Sequence, residues 1–162
     1  MRERLLGVGD LGVSKEKSEY FATYGLGSCI AVVLFCPQSG ALGMAHVALP
    51  ESRINPRKGK EKPGYFADTA IPVLLESLRE LAGDVPARSL QAKLVGGAQL
   101  RNTDDIFNIG AHNMRMIQKI LEDYSIGIAA QEVGGNESRS VAAYPGKGRV
   151  VLSSPGMAKR YL

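Results

Sequence analysis

A thiol, an imidazole and a hydroxyl are the side chains of this chain best suited to a nucleophilic reaction. Cys29 closes the stretch "TYGLGSC" and opens the apolar run "IAVVLF". Thiol chemistry needs a thiolate, a base to make it and a group that fixes the base. His46 and His112 are the whole supply of imidazole, so any Cys–His pair uses one of them. His46 lies in "GMAHVAL". Thr23 stands on the segment leading into the turn, where its hydroxyl can hold the ring in one tautomer.

Glycines at 25 and 27 let the backbone come close to a substrate and expose amide N–H groups. Gly27 and Ser28 therefore belong to a candidate oxyanion turn, with the Cys29 N–H its foremost donor. A thiol held this way is expected to have a lowered pKa and to alkylate faster than Cys36 near neutral pH. A blander reading stands beside this one. Free cysteine is among the most buried residue types, and a histidine on an apolar strand is usually a core residue. Residue types alone leave both open. Cys36, in "FCPQSG", has no histidine near it in sequence and reads as incidental.

The elements that must position these groups follow from hydrophobic period. Short runs rich in Val, Ile and Ala recur at 21–26, 30–35, 41–49, 90–95, 126–133, 138–144 and 149–152 and predict strands. "CPQSGAL" between the second and third is a hairpin-sized gap, so those strands are expected to pair antiparallel. Partner numbers then sum to 76 to 78, and residue 29 falls opposite residues 47 to 49, beside His46.

Helical spacing brings Ile71, Leu74, Leu75, Leu78 and Leu81 onto one face before Gly83, and Met114, Ile117, Ile120 and Leu121 onto another before Gly127. Strands before, between and after two helices predict an α+β fold. Its expected form is a sandwich. "LPESRINPRKGKEKPGY" has no periodicity and reads as a mobile surface loop. Its basic run is either a solvated face or a hold for an acidic partner.

Composition bounds the function. With 162 residues, 44% hydrophobic, the chain is expected to form one domain over 1–162. A net charge of +4 gives no ground for electrostatic capture of nucleic acid. The first twenty residues lack the basic head, apolar middle and cleavage site of a secretion signal, and no apolar run is long enough to insert in a membrane. A cytoplasmic protein is the expectation. The two cysteines stand seven apart, which is neither a zinc-ligand spacing nor a disulfide framework, so no metal or cofactor is foreseen.

Six segments in order, "YGLGSCIAVVLF", "GALGMAHVALP", "GYFADTAIPVLL", "AKLVGGAQL", "NIGAHN" and "VGGNESRSV", resemble the successive motifs of the CheD family of chemotaxis proteins. The family is similar in its catalytic core to the cytotoxic necrotizing factor toxins, and its members deamidate glutamines of chemoreceptors. The resemblance implies a layered sandwich of mixed and antiparallel sheets with two or three helices packed on one side, and Cys29 as nucleophile, His46 as base and Thr23 as the third member of the triad. It implies methyl-accepting chemotaxis receptors as substrates and a CheC-type phosphatase as a further partner. A non-catalytic regulatory module that binds such a phosphatase or receptors is the alternative.

The chain departs from the family pattern in three places. After "GGA" it carries "QLRNTDD", with Arg101 where an aromatic is common and Phe107 as a shifted substitute. Tyr65 and Phe66 replace a lysine and a tyrosine, and His112 replaces an arginine. Tyr65, Phe66, Arg101 and Phe107 are thus the candidate substrate or partner surface. His112 opens the second helix and reads as a cap or packing residue. Arg139 either binds an acidic group or braces its turn.

Overall fold

The computed structural model describes residues 1–100 and 106–162. Among these residues ten strands run in chain order: β1 (Arg2–Leu5), β2 (Leu11–Ser14), β3 (Glu19–Leu26), β4 (Ile30–Phe35), β5 (Leu42–Val47), β6 (Gln91–Gly96), β7 (Gly127–Val133), β8 (Arg139–Tyr144), β9 (Arg149–Ser153) and β10 (Arg160–Tyr161). Three α-helices join them: α1 (Pro56–Glu61), α2 (Ala67–Ala82) and α3 (Ile109–Asp123).

The strands form two five-stranded mixed sheets, ordered β1-β3-β8-β9-β10 and β2-β5-β4-β6-β7. Each is antiparallel except for one parallel pair, β1 with β3 and β6 with β7. The layers are sheet, sheet, helices, because the second sheet is apolar on both faces. Ile30, Val32 and Leu34 of β4 pack with Ile71, Leu74 and Leu78 of α2 and with Ile117 and Leu121 of α3. Ala31 and Val33 of the same strand point the other way, toward Phe21, Val141 and Leu152 of the first sheet. A strand buried on both faces reads as a continuous apolar run, which is what "IAVVLF" is.

The β4–β5 register is Ile30↔Val47 through Phe35↔Leu42, a constant sum of 77 that lies inside the range set by the short turn. Both helices begin and end close to where their spacing and glycine stops put them.

Three strands escape the sequence reading, for a common reason. β1, "RERL", is a charged edge strand with three of four residues exposed; β2, "LGVS", is four residues long and interrupted by glycine; β10 is two residues. None carries enough alternation to register as a period. Residues 49–65 correct a second expectation: the segment is not a structureless loop but holds α1 between two short 3-10 turns. Asn55 accepts the Lys58 N–H at the start of α1, with Pro56 as its first residue. Six residues are too few to display a helical period.

The basic run there is largely engaged: Arg57 pairs with Glu61 at 2.9 Å, Lys62 with Asp10 at 3.4 Å, and the Lys58 ammonium sits 3.9 Å from the Tyr65 ring centre. Arg101 lies outside the described residues. No helix among the described residues is long and apolar enough to cross a membrane.

Candidate active site

Strand alternation decides which side chains meet. On β5, Leu42, Met44 and His46 face the first sheet, while Ala45 and Val47 face the helices. On β3, Phe21 and Thr23 point into the same inter-sheet layer. Thr23 and His46 are both buried there, at 1% and 4% exposure. Their contact is a hydrogen bond of 2.7 Å between Thr23 Oγ1 and His46 Nδ1.

Its direction follows from what else the hydroxyl touches. Thr23 Oγ1 donates to the Leu6 carbonyl at 2.8 Å. A hydroxyl has one proton to give, so with that proton spent on Leu6 it accepts from His46, and Nδ1 is the protonated nitrogen. Nε2 then carries the lone pair. It is buried and has no hydrogen-bond partner among the described residues.

The segment that supplies Leu6 crosses from one sheet to the other around this pair. Leu6 N–H donates to Ala22 O on the first sheet; Gly9 N–H donates to His46 O, and His46 N–H to Asp10 O, on the second. The N-terminal strand is held in turn by ion pairs from Arg2 and Arg4 to Glu19. Hydrogen bonds from Ser14 and Arg2 hold the Glu19 carboxyl down at about 2.

Cys29 precedes β4 by one residue. Extending the register by one step sets it opposite residue 48, and Ala31, two residues on, pairs directly with His46. Cys29 therefore shares the His46 side of the sheet, on the diagonal. It packs partly buried against the inter-sheet core. No hydrogen bond joins Cys29 Sγ to Nε2 in this state. Cys36 is fully buried on the helix side.

The turn before Cys29 is pinned by its carbonyls. Gly27 O accepts from Ala98 N–H at 2.8 Å and Cys29 O from Gly97 N–H at 2.9 Å. Such close approach requires glycine on the facing strand: a Cβ on Gly96, whose φ is +122°, would lie 2.2 Å from the Cys29 oxygen.

Burial acts on both titrating groups toward neutrality. It pushes the Cys29 thiol above its ordinary 9.0. It pulls the His46 imidazole below 6.5, against smaller opposing effects of the Asp10 carboxylate and the Leu6 carbonyl. Burial thus favours a neutral thiol beside a neutral imidazole, against the expectation of a low-pKa thiol. Alkylation of Cys29 by iodoacetamide should climb with pH through neutrality and beyond 9, and should still outpace that of buried Cys36. A rate that levels off below pH 7 would indicate a resident thiolate–imidazolium pair instead. Reactions that need neutral His46 should lose rate only below pH 6.5, since the depressed pKa keeps the proton-accepting form populated above that value.

The remaining candidates separate. Phe66 is 1% exposed and packs edge-on against Tyr65. It is a core residue and not part of a surface, because it directly precedes α2 and turns inward with Ala67 and Ala70. Tyr65 is half-buried under Lys58. Phe107 is 71% exposed. His112 is exposed, 3.1 Å from an Arg115 nitrogen. Arg139 braces its turn, donating to Gly134 O and Gly96 O, and also pairs with Glu132. Among the described residues no group of three or more His, Cys, Asp or Glu side chains is placed to share a metal ion.

Sequence reasoning missed three contributors. The Leu6 carbonyl and the nearby Asp10 have no residue-type signature. Asn113 does have one, since it sits at the 113, 117, 121 spacing of the buried face of α3, where an amide is out of place.

The family model described as CheD, chemotactic sensory transduction, matches residues 48–154. A protein of Syntrophotalea carbinolica named "Probable chemoreceptor glutamine deamidase CheD" is 42% identical over 96% of this chain and 96% of its own length. A protein of the same name from Solibacter usitatus is 38% identical over 98% and 93%. The "Chemoreceptor glutamine deamidase CheD" of Thermotoga maritima is 37% identical over 95% and 93%. Among solved structures, a crystal structure of a Neisseria meningitidis protein aligns with a TM-score of 0.45 at 13% identity, over 85% of this chain and 65% of that one.

Proposed function

The chain belongs to the CheD family, and from that premise we propose that it is an enzyme that deamidates glutamine side chains of chemoreceptors in the cytoplasm, with Cys29 as nucleophile, His46 as base and acid, and Thr23 as the residue that holds the ring. One observation carries the residue assignment: the chain of hydrogen bonds from Leu6 O through Thr23 to His46 Nδ1. It leaves Nε2 unprotonated in the layer that Cys29 enters.

The reaction follows from these parts. Substrate entry closes the Cys29–His46 gap, as catalytic hydrogen bonds commonly tighten only in the complex. Nε2 takes the thiol proton while sulfur attacks the glutamine side-chain carbonyl. Because the thiol is neutral at rest, proton transfer and attack are coupled. The oxyanion is met by backbone N–H groups of the 27–29 turn. The imidazolium gives its proton to the departing amide nitrogen, which leaves as ammonia. Nε2 then takes a proton from water, hydroxide opens the thioester, and the products are glutamate and the restored thiol. The receptor gains one negative charge at each site, which alters packing between neighbouring helices through like-charge repulsion. Mass spectrometry of receptor cytoplasmic fragments tests the reading: the protein should convert specific glutamines from amide to acid, and the absence of conversion would end it.

A second role, association with a CheC-type phosphatase, is favoured by Ile106 and Phe107, which stand 81% and 71% exposed just ahead of α3. Adjacent exposed apolar side chains suit a partner surface. Phe107→Ala should weaken co-purification with such a phosphatase while leaving glutamine conversion within about twofold of wild type, truncation of an aromatic anchor costing about 2 kcal/mol or more. Unchanged association would remove Phe107 from the interface.

A further inference from the structure

The turn that carries the nucleophile has three carbonyls in succession, and all three are held. Backbone N–H groups hold Gly27 O and Cys29 O. The middle one, Ser28 O, is held by a side chain: Asn113 Nδ2 donates to it at 3.0 Å and to Ala48 O, at the end of the His46 strand, also at 3.0 Å. Asn113 is fully buried on the inner face of α3, and its Oδ1 has no partner among the described residues. The position of this amide is fixed by its two N–H donors. Reversing the amide would set Oδ1 against two carbonyl oxygens, which settles its orientation.

Ser28 O belongs to the same peptide unit as the Cys29 N–H. That unit is planar, and no peptide bond in the structure is cis, so the N–H points opposite to the carbonyl. Anchoring Ser28 O to α3 therefore aims the Cys29 N–H away from α3. Among the described residues that N–H takes no backbone acceptor. We infer that Asn113 is a positioning residue that orients the Cys29 amide as the oxyanion donor, an inference that deepens the deamidase reading and rests on it.

The test compares two reactions of the same sulfur. Acylation by p-nitrophenyl acetate forms a C–S bond, passes through a tetrahedral oxyanion and expels p-nitrophenolate, the thiol proton going to His46. Alkylation by iodoacetamide forms a C–S bond and expels iodide with no carbonyl oxyanion. Both are measured on the full chain, with Cys29→Ala subtracted. Asn113→Ala should lower acylation of Cys29 about 10²-fold, the usual cost of one oxyanion donor, and leave alkylation within about twofold. Parallel loss in both reactions would mean that Asn113 merely supports the turn, and no loss in either would mean that it does not orient the amide; each overturns the inference. If Asn113→Ala fails to fold, the near-isosteric Asn113→Leu, which lacks the amide donors and buries no charge, carries the same comparison. The ester readout is independent of the native substrate, so a wild type that converts no receptor glutamine yet shows the split would fail the deamidase reading and keep the role of Asn113.

Discussion

His46→Gln should lower glutamine turnover by about 10²- to 10⁴-fold, the range supplied by a positioned proton-transfer group, while thermal unfolding stays cooperative. Glutamine has similar reach and an amide that can still meet Thr23, but it has no basic nitrogen. What it removes is the lone pair on Nε2, the buried atom without a partner. The effect should be largest where the thiol is most firmly protonated. Since burial raises the Cys29 pKa, the wild type should depend on His46 across the whole neutral range. The variant should therefore lose the acid limb below pH 6.5, where neutral His46 becomes protonated, and its residual rate should rise steadily with pH as hydroxide forms the thiolate. Alkylation of Cys29 in the absence of substrate should change little, because no hydrogen bond links the two groups at rest. Turnover within tenfold of wild type would mean that another base does the work.

Much of the arrangement is legible in the sequence because it depends on local spacing. The short turn at 36–41 fixes the β4–β5 register to within a residue and so brings residue 29 beside His46, while the side of the sheet they share follows only from the observed sum of 77. The period of 3.6 finds α2 and α3 and sends both to the other side. Thr23 and His46, 23 residues apart, can be named as a pair from residue type, and they stand 2.7 Å apart.

The rest is invisible for physical reasons. The group that sets the direction of that hydrogen bond is a main-chain carbonyl on Leu6, brought in by a charged edge strand with no hydrophobic alternation. Tertiary placement also decides the fate of the aromatics: Phe66 and Phe107 look alike as residues, yet one enters the core and the other stands in solvent. The ionisation of the thiol is set by burial, which spacing does not reveal. Asn113 could have been found, since an amide repeating every four residues with Ile117 and Leu121 is a polar group on an apolar face, and buried polar groups need partners.

Cys29→Ala should reduce conversion by more than about 10³-fold, because without sulfur no thioester forms and water must attack the amide unaided. The methyl group fills most of the thiol's place, so the inter-sheet core and the Thr23–His46 bond should persist and any loss would report chemistry. Cys36 offers no substitute, being fully buried on the opposite face of the sheet. The deciding measurement incubates receptor cytoplasmic fragments with wild type and with Cys29→Ala and follows amide-to-acid conversion at each glutamine by mass spectrometry. Conversion by the wild type with none above background in the variant is the expected result; equal conversion by the two would contradict the assignment of Cys29 as the nucleophile.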